Sequence, residues 1–129
     1  MADWILFTVF SAFIPAIMLI YSVIFLKRPP KKINSAYGYR SRRSMKSPEA
    51  WKFAHFLCAK IWLFTSIVLF VLSVAAMLFV LSKDENTVGL VFQIVMYVQL
   101  AILILTILPV ELALKKEFDE NGNRKSPKE

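Results

Sequence analysis

The sequence predicts an all-α membrane protein, a bundle of three transmembrane helices with its N-terminus outside and its C-terminus cytoplasmic. Three observations predict it. First, the uncharged stretches Trp4–Leu26 (23 residues), Ile61–Ser82 (22 residues) and Thr87–Val110 (24 residues) each exceed the roughly 20 apolar residues that a helix needs to cross a hydrocarbon core of about 30 Å. Second, the 129-residue chain is 57% hydrophobic with a mean hydropathy of +0.57. The spans take up over half of it, so no independent soluble catalytic domain fits. Third, the net charge of +7 is uneven: nine basic residues and one acid, Glu49, lie between Lys27 and Lys52. By the positive-inside rule that connection is cytoplasmic. The expected organisation is a single module over 1–129, with spans at about 4–26, 54–82 and 87–112, a cytoplasmic basic loop at 27–50 and a cytoplasmic tail at 113–129.

The first span makes a poor signal peptide. Only Asp3 precedes it, its apolar run is too long, and no small-residue cleavage site follows. It is expected to stay as a signal anchor. Pro15 in its middle removes a backbone hydrogen bond and predicts a kink, which a membrane tolerates when a neighbour satisfies the freed carbonyl. The span stops at Lys27-Arg28-Pro29-Pro30-Lys31-Lys32.

The following segment to Lys46 has no helical periodicity. A structureless stretch of that length is often functional, and Ile33, Tyr37, Tyr39 and Met45 supply apolar groups to fold back onto the helix ends. Its cations, Arg40, Arg42, Arg43 and Lys46, suit a phosphate, an anionic headgroup or an acidic peptide, which guanidinium groups grip bidentately. The blander reading is topology and contact with membrane lipid. Direct binding to nucleic acid is not expected.

The second helix starts legibly: Ser47 suits the N-cap, Pro48 the first helical position and Glu49 the positive dipole end. Running to about Ser82, it would outreach the bilayer core and stand partly in the interface. Trp51, His55, Cys58 and Trp62 share one face at spacings of 4, 3 and 4. His55 is expected to hydrogen-bond to the loop or to Glu111. With one histidine and one cysteine, no disulfide and no metal or cofactor site is predicted.

A short outer turn at Lys83–Asn86 leads to the third span. Gln93 and Gln99 point to different faces and suggest interhelical hydrogen bonds. Glu111, at the cytoplasmic end, predicts an ion pair with His55, Lys60 or a loop arginine. In the tail, Asp119 and Glu120 face the loop cations by sign, so a pairing with Arg40, Arg42 or Arg43 is expected. Gly38 and Gly122 suit positive φ. No nucleophile elbow, metal-binding helix motif, phosphate loop or acid pair at catalytic spacing occurs. No catalytic residue is therefore named, and the sequence leans away from an enzyme.

Gly38-Tyr39-Arg40, Arg43-Ser44-Met45-Lys46-Ser47, Glu49-Ala50-Trp51 and Ala54-His55 between two spans, with Leu114 and Phe118–Lys125 in the tail, resemble the SdpI family of small bacterial membrane proteins. The resemblance implies a multi-pass protein of the bacterial plasma membrane. Its namesake, which carries further spans ahead of this module, is an immunity protein that protects the producing cell from a secreted toxic peptide and recruits a transcriptional repressor to the membrane. A bacteriocin-like peptide and a cytosolic regulator are the partners this implies. Three readings follow: immunity against or sensing of such a peptide, with the Gly-Tyr-Arg loop as the functional face; binding or turnover of an anionic lipid-like molecule at the cytoplasmic face; and a docking platform for the regulator. The candidate binding residues are Tyr39, Arg40, Arg43, Trp51, His55 and Glu111, joined through the tail's resemblance by Asp119, Asn121 and Arg124.

Overall fold

The computed structural model describes residues 2–29, 32–33 and 38–125; Tyr37 and Pro30-Lys31 lie outside these. The described chain is all-helical apart from one isolated bridge in the tail. It runs through α1 (Ala2–Ser11), α2 (Phe13–Lys27), a 3-10 turn (Ser44–Lys46), α3 (Pro48–Phe79), α4 (Glu85–Leu105) and α5 (Ile107–Glu117). Three units, Ala2–Lys27, Pro48–Phe79 and Glu85–Glu117, are long and apolar enough to cross a membrane. Their outer faces carry large apolar side chains, with Phe64 at 73% and Phe79 at 83% exposure. Such a surface suits lipid, not water.

The first and third spans are each broken three residues before a proline, at Ala12 ahead of Pro15 and at Thr106 ahead of Pro109. Pro15 has no N–H to offer the carbonyl of Ser11, four residues back. The Gln99 side chain takes its place, donating from Nε2 to Ser11 O at 2.7 Å and to Ser73 Oγ at 2.6 Å. One amide thus ties all three spans at mid-depth; its Oε1 has no partner among the described residues. At the other break, the Trp62 indole donates to Thr106 Oγ1 at 2.9 Å, and that hydroxyl donates to Leu103 O.

α3 begins as its sequence predicts: Ser47 Oγ accepts from the Ala50 N–H at 3.0 Å and Pro48 opens the helix. It ends at Phe79, and Val80 to Ser82, expected to be helical, form the turn instead. Small residues at Ala50, Ala54 and Cys58 make a shallow ridge along one face of α3, and Val110, Leu114 and Phe118 pack into it. Both rows repeat every four residues, the spacing that lets helix ridges interlock. A second cluster, Met77, Val80 and Val88 with Trp4, Phe7 and Phe92, closes the opposite end. There the Trp4 indole donates to Met77 O at 2.6 Å.

Candidate ligand-binding site

The segment after Gly38 is built onto the basic end of the bundle. Gly38 has φ 106°, a conformation that costs a residue with a Cβ. This turn points Tyr39 inward. Its N–H donates to His55 Nε2 at 2.8 Å, its carbonyl accepts from Ser44 Oγ at 3.0 Å, and its hydroxyl donates to Glu111 Oε2. Ser44 is fully buried, and its N–H donates to Ser41 Oγ at 3.1 Å. The ring packs against the cluster containing Cys58, Val110 and Leu114. Burial pushes the Tyr39 phenol above its ordinary value, and the Glu111 carboxylate raises it further by hydrogen bond and by charge.

His55 is fully buried. Its Nδ1 lies 2.7 Å from Trp51 O. Because Nε2 must accept the Tyr39 N–H, Nδ1 carries the proton and the ring is neutral. Trp51, also fully buried, lies tilted against it at 4.2 Å between ring centroids, and Phe25 of α2 meets it edge-on at 4.8 Å. His55 therefore joins the first span, the loop and α3. The expected bond from His55 to the loop is found.

In front of Tyr39 opens a cavity of about 600 Å³, between Tyr21 and Phe25 of α2, Gly38–Ser41, Trp62 of α3 and Leu103, Ile104, Thr106 and Ile107 of the third span. Its size suits a small organic ligand. Arg40 and Ser41 stand on its wall among mostly apolar groups. Tyr21, Ile104 and Ile107 are exposed, so the opening faces the side of the bundle.

A second unit forms at the tail. Asp119 Oδ1 accepts from the N–H groups of Asn121 and Asn123, both at 2.9 Å, and Phe118 pairs with Arg124 across the turn. Gly122 has φ 82°, and a Cβ there would lie 2.7 Å from the Lys46 carbonyl carbon. Ser47 Oγ donates to Gly122 O at 2.5 Å, so the residue that caps α3 also holds the tail. Arg124 pairs with Glu49 at 3.0 Å and Glu117 at 3.4 Å and lies over the Phe118 ring at 4.9 Å.

The predicted residues thus fall into groups. Tyr39, Trp51, His55 and Glu111 form one interlocked unit, and Arg40 lies beside it on the cavity. Asp119, Asn121 and Arg124 belong to the tail hairpin. Arg43 is exposed at the start of the 3-10 turn.

Three expectations need correction. Glu111 takes the Tyr39 hydroxyl, and among the described residues no cation pairs with it; a phenol donor satisfies a carboxylate at a span end without burying a second charge. Asp119 is engaged by the tail's own backbone, and among the described residues neither it nor Glu120 pairs with a loop arginine. Gln99 makes interhelical bonds, but Gln93 is exposed.

Ser44, Glu49 as the tail's partner, and Trp62 with Thr106 were not foreseen as site residues. The one signal for Ser44 was its spacing of three from Ser41.

The model of the SdpI/YfhL protein family matches residues 31–110. Over 53 residues the chain is 38% identical to a Bacillus subtilis (strain 168) protein described as "Uncharacterized protein YfhL". The match takes in 41% of this chain and 48% of that relative, so it spans about half of the relative's length. No solved structure matches.

Proposed function

The chain belongs to the SdpI/YfhL protein family, and from that premise we propose that this multi-pass membrane protein neutralises or senses a secreted membrane-active peptide, with Gly38-Tyr39-Arg40 as its functional face. The observation that carries this reading is the built state of that segment at the mouth of a cavity. Topology asks only for positive charge. It does not ask for a glycine at φ 106°, a tyrosine bonded through N–H, carbonyl and hydroxyl, or a pocket of about 600 Å³ beside them. In this reading the segment is cytoplasmic, the N-terminus is outside and the membrane is the bacterial plasma membrane. A peptide lying in the bilayer reaches the pocket sideways, past Tyr21, Ile104 and Ile107. An apolar side chain enters, and an acidic group or the C-terminal carboxylate meets Arg40.

The test is a protection assay in a sensitive host. Expression should protect against a peptide from the source organism, and Arg40→Glu should abolish protection at unchanged membrane levels. Absence of protection against every peptide the source secretes sinks the reading.

One observation favours a second reading, an anionic lipid-like molecule held in the same pocket. Its wall is mostly apolar with a guanidinium at one side, which is the pattern of an amphiphile. Native mass spectrometry of the protein released from its own membrane would show an anionic adduct that Arg40→Gln loses. A bare protein in both cases removes this reading. Support for a docking platform built on an accessible Tyr39 is weaker, because the ring packs into the core and its hydroxyl is engaged.

A further inference from the structure

The third span carries a polar stripe on its outer face that nothing among the described residues covers. Gly89, Gln93 and Tyr97 follow one another at intervals of four, so they lie on one side of α4. Gln93 is exposed and Tyr97 is 70% exposed. Among the described residues neither the Gln93 amide nor the Tyr97 hydroxyl has a hydrogen-bond partner. A Cβ built on Gly89 meets nothing within 4 Å, and the groove beside it is bounded by Phe7, Glu85, Asn86, Leu90, Phe92 and Gln93.

Depth makes the stripe unusual. The uncharged stretch begins at Thr87, so Gln93 lies roughly 9 Å and Tyr97 roughly 15 Å inside it, at 1.5 Å per residue. In a core of about 30 Å that places Tyr97 near the midplane. Tyrosine belongs at the membrane–water interface, and lipid chains offer neither group a partner. Intramembrane polar side chains turn towards other protein. The third span also has the smallest buried share of the three.

We propose that the Gly89–Gln93–Tyr97 stripe is the interface with a second copy of this chain. The chemistry of the stripe selects that occupant. A glutamine amide carries both a donor and an acceptor, so two Gln93 side chains facing each other form a reciprocal pair of hydrogen bonds. A two-fold axis along the membrane normal brings them face to face and gives both copies the same orientation in the bilayer. Gly89, one turn away, lets the two backbones approach. The lipid-facing pocket at the basic end lies elsewhere on the bundle, so the interface does not depend on what that pocket binds.

The full-length chain in its own membrane tests this. Cys58, the single cysteine, is buried, so it does not interfere with introduced thiols. Oxidation should cross-link Gln93→Cys to itself and Tyr97→Cys to itself, but not Phe64→Cys, which is equally exposed on the second span. In liposomes of falling protein density, Gln93→Leu should raise the dimer dissociation constant roughly five- to thirtyfold, the range expected for intramembrane polar pairs in model peptides, whereas Gln93→Asn should retain part of the affinity. Leucine suits a lipid-facing site, so loss of the dimer would not reflect misfolding. A monomer at every density overturns the proposal. So does equal cross-linking from Phe64→Cys, or a Gln93→Cys adduct with a different protein.

Discussion

The loop segment Gly38–Ser44 and the tail hairpin Phe118–Arg124 solve the same problem in opposite ways. Each is polar, each turns at a glycine of positive φ, and each is anchored to the start of α3. The tail consumes its own charge: Arg124 meets Glu49 and Glu117, and Asp119 caps the turn. The loop instead sends a tyrosine into the bundle and keeps Arg40 on the wall of a cavity. Charge paired within the hairpin is structural, whereas the loop places its cation on a cavity wall. Both segments brace the start of α3, and the loop alone of the two lines the cavity.

Removing the loop's anchor should have the largest effect. Tyr39→Ala empties the space beside Cys58 and leaves Glu111 without its hydroxyl donor, while the backbone N–H to His55 remains, a loss of about 3 kcal/mol. A thiol-reactive fluorophore, reading Cys58 during a thermal melt in detergent, should show earlier exposure. An unchanged melt would mean that the loop does not brace the bundle.

Next comes the tail. Gly122→Ala forces a side chain into positive φ against the Lys46 backbone, costing about 2 kcal/mol locally. Limited proteolysis should cut the variant's tail faster while the spans remain protected.

Tyr39→Phe keeps the ring and deletes one hydrogen bond, costing about 1 kcal/mol. It also carries a pH signature. The raised folded-state value of Tyr39 means that the folded chain keeps a proton the unfolded chain loses. The stabilisation is complete below about pH 10, the ordinary tyrosine value, and is lost as pH climbs from there through the folded value. The native protein should lose stability above about pH 10 more steeply than Tyr39→Phe, as followed by alkaline melts. Parallel curves would mean that burial and Glu111 do not hold the Tyr39 proton.

Smallest of all, Arg124→Gln removes two exposed ion pairs and should cost under about 1 kcal/mol. The hairpin's backbone bonds from Asp119 and Lys125 should hold, so proteolysis of this variant should match the native rate.

The sequence carried those parts of the fold that depend on neighbouring residues. Three uncharged runs announced three spans, Ser47-Pro48-Glu49 announced the start of α3, and Pro15 announced a break whose carbonyl would need a donor. Gly38 and Gly122 announced their backbone angles. The partners were less accessible, because each depends on residues far apart in the chain. Glu111 receives a hydroxyl from 72 positions away, and its charge pointed to a cation instead. Gln93 and Gln99 were distinguishable only as lying on different faces; which one turned inward depended on Ser11 and Ser73. Arg40 and Arg43 look equivalent in composition, and only the turn at Gly38 brings one of them to the cavity.

The substitution of Gln99 for the missing proline N–H also has a consequence in time. A ribosome releases the first span long before the third is made, with 88 residues separating Ser11 from its donor. Until Gln99 arrives, the Ser11 carbonyl has no amide to meet it, and a bare carbonyl in hydrocarbon is costly. The helix that carries Ser11 therefore enters the bilayer unfinished, and the later span that carries Gln99 completes it. Assembly waits on one side chain, so a chain cut short before Gln99 should leave the helix of Ser11 exposed to quality-control proteases.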